Sequence, residues 1–345
     1  MKSLTELIIR CDEQDAKYIG GLKQLTRLTI YSSHIRDIGK ISELKQLTYL
    51  NVPANGIWCY TTKQVKEFKQ LTTLIIDQNQ VGSEGCKYIS ELKQLTSLSI
   101  DENFIYDEGV EYLSELAQLT YLNISNNGVG SEGCKYVGKM KRLTSLGFYN
   151  NRIGKEGAKY ISTLNQLKQL DISRTNIGDK GLEHIGQLSQ LTSLDLYCNK
   201  IGNGGAKYLS ELKQLTYLNI SENHIGNEGI KYIGELKQLV NLIINNNRIG
   251  NDGVKYIGEL KQLTYLNISE NRIGNEGIKY IGDLKQLTNI IISRNWIGSE
   301  GAKYIGKLSQ LTSLGLSSNN IDNEGAKYLS ELKELSFLNI ERNKI

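Results

Sequence analysis

The chain has 345 residues, of which 39% are hydrophobic and 23% are charged, a composition typical of a folded globular protein and not of a disordered one. Its 41 basic and 37 acidic residues leave a net charge of +4, too balanced for a general nucleic-acid or membrane-surface binder. No apolar run approaches the roughly 20 residues of a membrane span, and the first ten residues, MKSLTELIIR, enter a repeat instead of forming a signal peptide. We therefore expect a cytosolic protein that does not insert into a membrane.

A repeat runs through almost the whole chain. The motif LTxL and its variants recur with a period of 24 residues from residue 47 onward, after two shorter copies of 21 and 22 residues. Residues 215–238 and 263–286 are near copies that differ only at His224 and Glu235, which are Arg272 and Asp283 in the second copy. A fixed period of this length indicates a solenoid, in which each coil is stable only when stacked on its neighbours. We predict one domain over residues 1–345, with fourteen repeats, the first two short, and a truncated fifteenth that ends at Ile345.

Each copy predicts one strand followed by one helix. Leu263, Leu266 and Ile268 alternate with polar or aromatic neighbours, which is the pattern of a short strand with one buried face. Apolar residues then recur at helical spacing after Asn275, which we interpret as the helix N-cap. Strands that are joined by helices and run in one direction require a parallel sheet, with the helices on its other side. The predicted fold class is therefore α/β.

Two positions within the repeat predict structural roles. Position 9, counted from the first Leu of LTxL, is Asn in twelve of fifteen copies and departs to Asp12, Ser33 and Thr175. An amide both donates and accepts, so a ladder of these side chains satisfies backbone groups where the chain leaves the sheet. Position 15 is Gly in all eleven copies from Gly85 to Gly325, which indicates a special backbone shape or packing too close for a Cβ atom.

The repeated pattern LxxLxIxxNxI resembles the leucine-rich repeat family. The helical half, IGxEGAKYISEL, resembles the ribonuclease-inhibitor-like class, and the 24-residue length is similar to the GALA repeats of bacterial effectors that enter plant cells. The pair Gly205-Ala206 matches the GALA repeat, whereas Lys207-Tyr208 replace its usual Leu-Ala. We expect no F-box of the kind those effectors carry, because the repeat begins within the first ten residues. The resemblance implies a curved interaction scaffold.

The two layers of such a fold predict its curvature. Parallel strands lie about 4.8 Å apart, whereas packed helices need about 8 to 10 Å. The mismatch predicts a curved horseshoe with the parallel sheet on the concave face and the helices on the convex face. Cys86 and Cys134 occupy a helical position that other copies fill with Ala, Ile or Val, so we expect them to be buried. Two coils separate them by about 16 to 20 Å, which excludes a disulfide.

Residues that carry catalytic chemistry are scarce. His34, His184 and His224 have no Ser, Cys or carboxylate arranged around them as a nucleophile and base would require. The segment GNGGAK lacks the GK[ST] ending of a phosphate-binding loop, and metal-ligand spacings such as HxxxH, CxxC or DxDxDG do not occur. We predict that the protein is not an enzyme and holds neither a cofactor nor a metal.

Variation between copies concentrates at positions 3, 5, 7, 8 and 10, which we expect to be exposed on the sheet face. Position 10 in coils seven to thirteen is mostly basic and ends in an aromatic residue: Arg152, Asn176, Lys200, His224, Arg248, Arg272 and Trp296. Exposed Tyr and Arg side chains on a rigid sheet are the types that dominate interface energy. The predicted partner-binding residues are Tyr121, Tyr149, Arg174, Tyr197 and Tyr217 at the centre, with Arg248, Arg272 and Trp296 along the rim.

Charge of the opposite sign occurs earlier in the chain. Asp77, Asp101 and Glu102 lie at positions 7 and 8 near Phe104. Because the acidic and basic positions lie in different coils, the sheet face is predicted to be polarised although the net charge is small.

The leading hypothesis is a non-enzymatic protein–protein interaction scaffold that binds a partner protein on its concave sheet face. One alternative, suggested by the GALA-like repeat, is a bacterial effector that targets a host protein in the host cytosol. A second is nucleic-acid binding through the basic position-10 residues, which the neighbouring Glu222 and Glu270 disfavour. We also expect self-association through uncapped apolar ends of the first and last coils.

Overall fold

The computed structural model describes residues 4–11, 14, 16–31 and 35–345. Asp12, Ser33 and His34, which the sequence singled out, lie outside these described residues. The chain divides into two compact units, the first ending at Thr175 and the second beginning at Asn176.

In the first unit, eight short strands pair in parallel, each with the next along the chain. The strands are β1 (Glu6–Ile9), β2 (Arg27–Ile30), β3 (Tyr49–Asn51), β4 (Thr73–Ile75), β5 (Ser97–Ser99), β6 (Tyr121–Asn123), β7 (Ser145–Gly147) and β8 (Gln169–Asp171). The helices are α1 (Ala16–Ile19), α2 (Cys59–Thr62), α3 (Gly82–Ile89), α4 (Tyr106–Leu113), α5 (Ser131–Val137) and α6 (Gly154–Ile161), with 3₁₀ segments at Ile38–Ile41 and Lys63–Glu67.

The second unit repeats this arrangement with seven parallel strands. Its strands are β9 (Ser193–Asp195), β10 (Tyr217–Asn219), β11 (Asn241–Ile243), β12 (Tyr265–Asn267), β13 (Asn289–Ile291), β14 (Ser313–Gly315) and β15 (Phe337–Asn339). Its helices are α7 (Gly178–Ile185), α8 (Asn203–Ala206), α9 (Gly226–Ile233), α10 (Asn251–Ile257), α11 (Asn275–Ile281), α12 (Ser299–Ile305) and α13 (Asn323–Leu329), with a 3₁₀ segment at Lys207–Glu211. The predicted alternation of strand and helix around a parallel sheet is confirmed.

The core lies between the strands and the helices of each unit. Leu218 on β10 stands in register with Leu242 on β11, which stands in register with Leu266 on β12. All three side chains are fully buried, as are Ile230 and Ile233 on α9. Burying each such side chain contributes about 1.5 to 3 kcal/mol to folding, so the repeated Leu and Ile positions supply the main stabilising term.

The asparagines at position 9 form the predicted ladder. Asn223 is almost completely buried, and its Oδ1 accepts the backbone N–H groups of Asn199 at 3.1 Å and Ile201 at 2.9 Å. Its Nδ2 donates to three carbonyl oxygens, each 3.0 Å away, those of Leu196, Ile220 and Ser221. One side chain therefore satisfies five backbone groups of two successive coils, where water is excluded. At Thr175 the hydroxyl donates to the carbonyl of Ile172.

Position 13 forms a second ladder, which corrects our interpretation of Asn275. The N-cap residue of α11 is Gly274, which has no side chain to cap the helix, and Asn275 is the first helical residue. Asn275 Oδ1 instead accepts the backbone N–H groups of Gly298 at 2.8 Å and Gly301 at 3.1 Å. The amide thus caps the helix of the next coil, α12. Asp107, Asp179, Asn227 and Asn251 bind the next coil in the same way.

The residue at position 8 has a left-handed backbone in every coil from the third onward. The φ angles lie between 52° and 57° at Ala54, Gln78, Glu102, Asn126, Asn150, Arg174, Cys198, Glu222, Asn246, Glu270, Arg294, Ser318 and Arg342. Each non-glycine residue in this region costs roughly 1 to 2 kcal/mol. In all of these coils except that of Arg174, which precedes Thr175, the ladder asparagine follows directly, and its hydrogen bonds hold the turn in this shape.

The glycines at position 15 are explained by packing. A Cβ atom on Gly229 would lie 2.8 Å from Ile225 Cγ2 and 3.1 Å from the Cα atom of Asn203 in the preceding coil. Gly226, at position 12, has a different reason, because its φ is +60° and its surroundings are open. The sequence left both explanations open: close packing applies to Gly229 and a positive φ to Gly226, whereas Gly274, at the same position as Gly226, has an extended backbone with φ −107°.

The described helices are short. Within the described ranges, none of them combines the length and the apolar character that crossing a membrane requires.

Replacing a ladder asparagine should destabilise the fold strongly. We expect Asn223→Ala to lower the free energy of unfolding by about 3 kcal/mol or more, because it leaves several buried backbone groups without partners and each costs about 1 to 3 kcal/mol. Chemical denaturation followed by circular dichroism measures the change. The matched control is Asn241→Ala, the same replacement at a half-exposed position of β11, where we expect about 0.5 kcal/mol or less. Equal losses in both variants would contradict the role of the ladder.

The buried cysteines should resist alkylation in the folded protein. Cys86 and Cys134 are free thiols without solvent exposure, and burial raises the pKa of both, which leaves little of the reactive thiolate. We expect iodoacetamide at mildly alkaline pH to modify the half-buried Cys59 and Cys198 first. Peptide mass spectrometry measures the labelling, and unfolding in guanidinium is expected to remove the difference. Fast modification of Cys86 in the native protein would show that this part of the core opens readily.

Candidate functional site

The sheet exposes a surface that only partly consists of strand residues. In a three-residue strand such as β10, the middle residue is buried and the two flanking residues, at positions 3 and 5, are half-exposed. Positions 7, 8 and 10 follow the strand, in the turn that the ladder asparagine holds. The surface therefore combines two columns of strand side chains with a rim of turn side chains.

The first unit contains three of the predicted site residues on successive coils. Tyr121 is the first residue of β6 and is 39% exposed. Burial, together with the nearby carboxylate of Asp77, raises the pKa of Tyr121. Tyr149 follows β7 and is half-buried, and Arg174 follows β8 and is exposed. These three side chains occupy positions 3, 7 and 8, so they do not form a single column.

The second unit contains two half-buried tyrosines on adjacent coils, Tyr197 and Tyr217. The Tyr197 backbone N–H donates to Asp195 Oδ1 at 3.0 Å, and Asn219 Nδ2 donates to the other oxygen of the same carboxylate at 2.9 Å. The Asp195 carboxylate therefore organises the strand end from which Tyr197 extends.

The position-10 residues of the second unit form one column. The backbone of Arg272 forms an isolated parallel β-bridge with Gly250 of the preceding coil, in which the Arg272 N–H donates to the carbonyl of Ile249 at 2.8 Å. Trp296 forms the same kind of β-bridge with Gly274. The side chains of Arg248 and Arg272 are exposed, and that of Trp296 is 62% exposed.

Acidic side chains accompany this column. Arg294 lies 3.0 Å from Glu270 in an exposed salt bridge, and exposed pairs of this kind contribute little to stability. His224 Nδ1 lies 2.8 Å from the backbone oxygen of Asn223. Glu270 and Arg294 both occupy position 8, so their pair is neutral overall and does not offset the charges of Arg248 and Arg272 at position 10.

The first unit also carries an acidic cluster. The Asp101 backbone N–H donates to Asp77 Oδ1 at 2.9 Å, and Asn126 Nδ2 donates to Asp101 Oδ1 at 2.8 Å. Burial raises the pKa of Asp101, and the negative charges of Asp77 and Glu102 raise it further. Phe104, which follows the cluster, is 54% exposed.

Three aromatic residues at position 3 of the sheet face were missed: Tyr49 on β3, Tyr265 on β12 and Phe337 on β15. Tyr265 begins β12 between Asn241 on β11 and Asn289 on β13, and burial raises its pKa. It occupies position 3, as Tyr121 and Tyr217 do, so the signal that identified those two tyrosines also identifies this one.

The helix layer carries contacts of its own. Lys255 Nζ lies 4.9 Å from the ring centre of Tyr256, and Lys279 Nζ lies 5.2 Å from that of Tyr280. Lysines also pair with glutamates of the next coil, as Lys237 does with Glu259 at 2.7 Å. Since all of these groups are on the solvent side, they account for the recurrent Lys, Tyr and Glu without a binding role.

The described residues do not meet the requirements of a metal site. Among the described residues, His, Cys, Asp and Glu side chains do not assemble into a group of three or more that could hold an ion.

Two family models of leucine-rich repeats match this sequence, one over its first part and one over its last part. The leucine-rich repeat region family matches residues 1–224, and the family described as Zer-1-like leucine-rich repeats matches residues 206–341. The sequence has no match among curated proteins.

Solved structures with this fold come from several organisms. An internalin of Listeria monocytogenes is 23% identical over 94% of this chain and 93% of its own, with a TM-score of 0.65. A leucine-rich repeat protein of Leptospira interrogans is 23% identical over 99% of this chain and 85% of its own, with a TM-score of 0.60. The ectodomain of a plant receptor kinase from Arabidopsis thaliana, solved in complex with Casparian strip integrity factor 2, is 20% identical over 99% of this chain and 50% of its own, with a TM-score of 0.56.

These structural similarities describe the fold alone, whereas the family match covers well over half of the sequence. Together with the parallel strands and the asparagine ladder, it identifies the repeat. The chain belongs to the leucine-rich repeat family.

Proposed function

We propose that the protein is a non-enzymatic scaffold that binds a partner protein on the exposed face of its sheet. The observation that carries the proposal is the contrast between a uniform, fully buried core and a varied sheet face with exposed or half-buried aromatic side chains. Tyr and Arg residues dominate the energy of protein interfaces, because they combine large contact area with directional polar groups. The family membership supports a protein partner as well.

The proposed contact residues lie in both units. Tyr121, Tyr149 and Arg174 belong to the first unit, and Tyr197, Tyr217, Arg248, Arg272 and Trp296 belong to the second. The half-buried tyrosines are supported by strand ends and turns, so they lose little conformational freedom when a partner binds. The exposed arginines suit a different role, because rim charges act mainly on the rate of association.

Nucleic acid is the rival class of partner. The column formed by Arg248 and Arg272 supports it, whereas the acidic side chain of Glu222, at position 8 of a neighbouring coil, opposes it. Titrating mixed oligonucleotides at two ionic strengths separates the two, because phosphate binding weakens steeply with salt. Tight binding that weakens steeply with salt would favour the rival.

A narrower version of the proposal is an effector that binds a host protein, which the GALA-like length of the repeat supports. Pull-down from plant-cell lysate tests it. Recovery of the bait alone would count against it.

The proposed contacts make a testable prediction. Crosslinking mass spectrometry in lysate first identifies a partner and maps the face that it contacts. We then expect Tyr149→Ala and Tyr197→Ala each to weaken binding by more than about 1 kcal/mol, and Arg272→Ala mainly to slow association and reduce its salt dependence. Surface plasmon resonance at two salt concentrations measures both effects.

The control is Tyr232→Ala, the same replacement on the helix layer, which should leave affinity unchanged. Unaltered circular dichroism spectra would show that the variants fold. If Tyr149→Ala and Tyr197→Ala bind normally while Lys231→Ala or Lys255→Ala abolishes binding, the assignment to the sheet face is wrong.

A further inference from the structure

The first unit carries a patch that the proposed contacts do not include, apart from Tyr121. We define the acidic patch as Asp77, Asp101, Glu102, Phe104 and Tyr121. Asp77 and Asp101 occupy the same position in adjacent coils and are joined by the hydrogen bond from the Asp101 backbone to the Asp77 carboxylate. Tyr121 lies on the coil after Asp101, close enough for both carboxylates to influence its hydroxyl.

The carboxylates of the patch are bound by neutral groups. Asn126 Nδ2 donates to Asp101 at 2.8 Å, and Gln78 Nε2 donates to Glu102 at 3.2 Å. In the part of the chain that the structure describes, Asp77, Asp101 and Glu102 form no salt bridge. By contrast, exposed glutamates of the helix layer, such as Glu115 and Glu259, are paired with lysines. The patch therefore concentrates negative charge that the fold does not neutralise.

Two exposed aromatic residues follow Glu102 closely in the chain. Phe104 and the nearby Tyr106 are each 54% exposed, and both have positive φ angles, 58° and 52°. The next coil has Gly128 at the position of Phe104, and Gly56 occupies it two coils earlier; glycine adopts this backbone shape without strain. The Tyr106 ring lies over Gly128, so that a Cβ atom there would be 3.1 Å from the ring. Two large apolar side chains are thus held exposed in a backbone shape that disfavours them, as is common at functional sites.

We infer that the acidic patch binds a cationic, arginine-bearing segment of a protein partner, in which the arginines alternate with apolar residues. The inference rests on the proposed function and adds the chemistry of the partner. A guanidinium group can pair with the carboxylates through two parallel hydrogen bonds and stack on the faces of Phe104 and Tyr121. The apolar residues between the arginines would cover the remaining aromatic surface. Nucleic acid is disfavoured here because its phosphates carry the same sign of charge as the patch.

The test uses the full chain and two defined probes. One probe is a short fluorescein-labelled peptide in which arginine and leucine alternate, and the other replaces each arginine with glutamate. Fluorescence anisotropy measures binding to the wild-type protein, to the double variant Asp77→Asn/Asp101→Asn, and to Phe104→Ala. The matched control is Glu84→Gln/Glu91→Gln, which removes two exposed charges in and just after α3 in the same unit.

We expect the arginine probe to bind the wild-type protein and the control equally, and the glutamate probe not to bind. Asp77→Asn/Asp101→Asn should weaken binding at least about tenfold, because the peptide then forms fewer ion pairs with the protein. Phe104→Ala should weaken it as well, because the guanidinium groups lose an aromatic face on which to stack. Asparagine keeps the shape and hydrogen bonds of aspartate, and removing the repulsion between the two carboxylates should leave the melting temperature unchanged or raise it. If the double variant binds more weakly but melts at the same or a higher temperature, the loss of binding is due to the removed charges and not to unfolding.

Other outcomes overturn the inference. The inference is wrong if the arginine probe does not bind the wild-type protein, or if it binds the double variant as tightly as the wild type. It is also wrong if Glu84→Gln/Glu91→Gln weakens binding as much as the double variant does. The proposed function fails separately, since it requires crosslinks from a lysate protein to the sheet face. In one such result, a lysate protein crosslinks near Tyr197 and Tyr217 and binds the Asp77→Asn/Asp101→Asn variant as tightly as the wild type. That result would support the scaffold function and reject the acidic patch as a binding site.

Discussion

From the third coil onward, the backbone turns away from the sheet in an interior that excludes water, and in every one of these coils except that of Thr175 a position-9 asparagine makes this turn possible. The turn leaves backbone N–H and C=O groups without partners in the sheet, and an unpaired buried group of this kind costs about 1 to 3 kcal/mol. Asn223 satisfies five of them in two coils. A shorter hydroxyl side chain, as at Thr175, donates only one hydrogen. The spacing of these asparagines ties the backbone of one coil to the next, and the register of the sheet depends on it.

The same constraint shapes the candidate site. Because the position-9 asparagine is anchored, the residue before it is held in the left-handed region even where it is a glutamate, as at Glu102 and Glu222. Side chains that are unfavourable in this backbone region are therefore presented at fixed points beside the sheet. The rigid core allows the sheet face to vary from coil to coil without loss of the fold, which is what a surface for recognition requires.

Much of the fold followed from the sequence because its determinants are periodic. Alternating Leu and Ile residues predicted the strands, and the in-phase asparagines predicted the ladder. Asn275 was misinterpreted because an N-cap rule considers one helix, whereas its amide caps the helix of the following coil. The left-handed backbone at Glu222 was not predicted either, because glutamate disfavours this region and the hydrogen bonds of the following Asn223 to the preceding coil hold it there.

The candidate site was less predictable than the fold. Residue types located the sheet-face tyrosines, because position 3 is exposed or half-buried in the interior coils, and the same rule applied evenly would have included Tyr265. The electrostatics could not be derived in this way. The charge of Glu270 is neutralised by Arg294 in the next coil, whereas Asp101 accepts a hydrogen bond from the neutral amide of Asn126. These contacts arise only once the coils are stacked.

The asparagine ladder also limits how such a chain can grow. Inserting one or two residues between a strand and its ladder asparagine would displace that amide from the carbonyls and N–H groups it serves, whereas adding a complete coil leaves each amide facing an equivalent set. The first two copies, of 21 and 22 residues, show that length can vary elsewhere in a coil while the strands stay in register. Growth by whole coils disturbs none of these contacts, and the near identity of residues 215–238 and 263–286, two coils apart, is what such duplication would leave. A lineage of such proteins could lengthen its recognition surface coil by coil while each new copy diverged mainly at the sheet-face positions, as His224 and Arg272 have done.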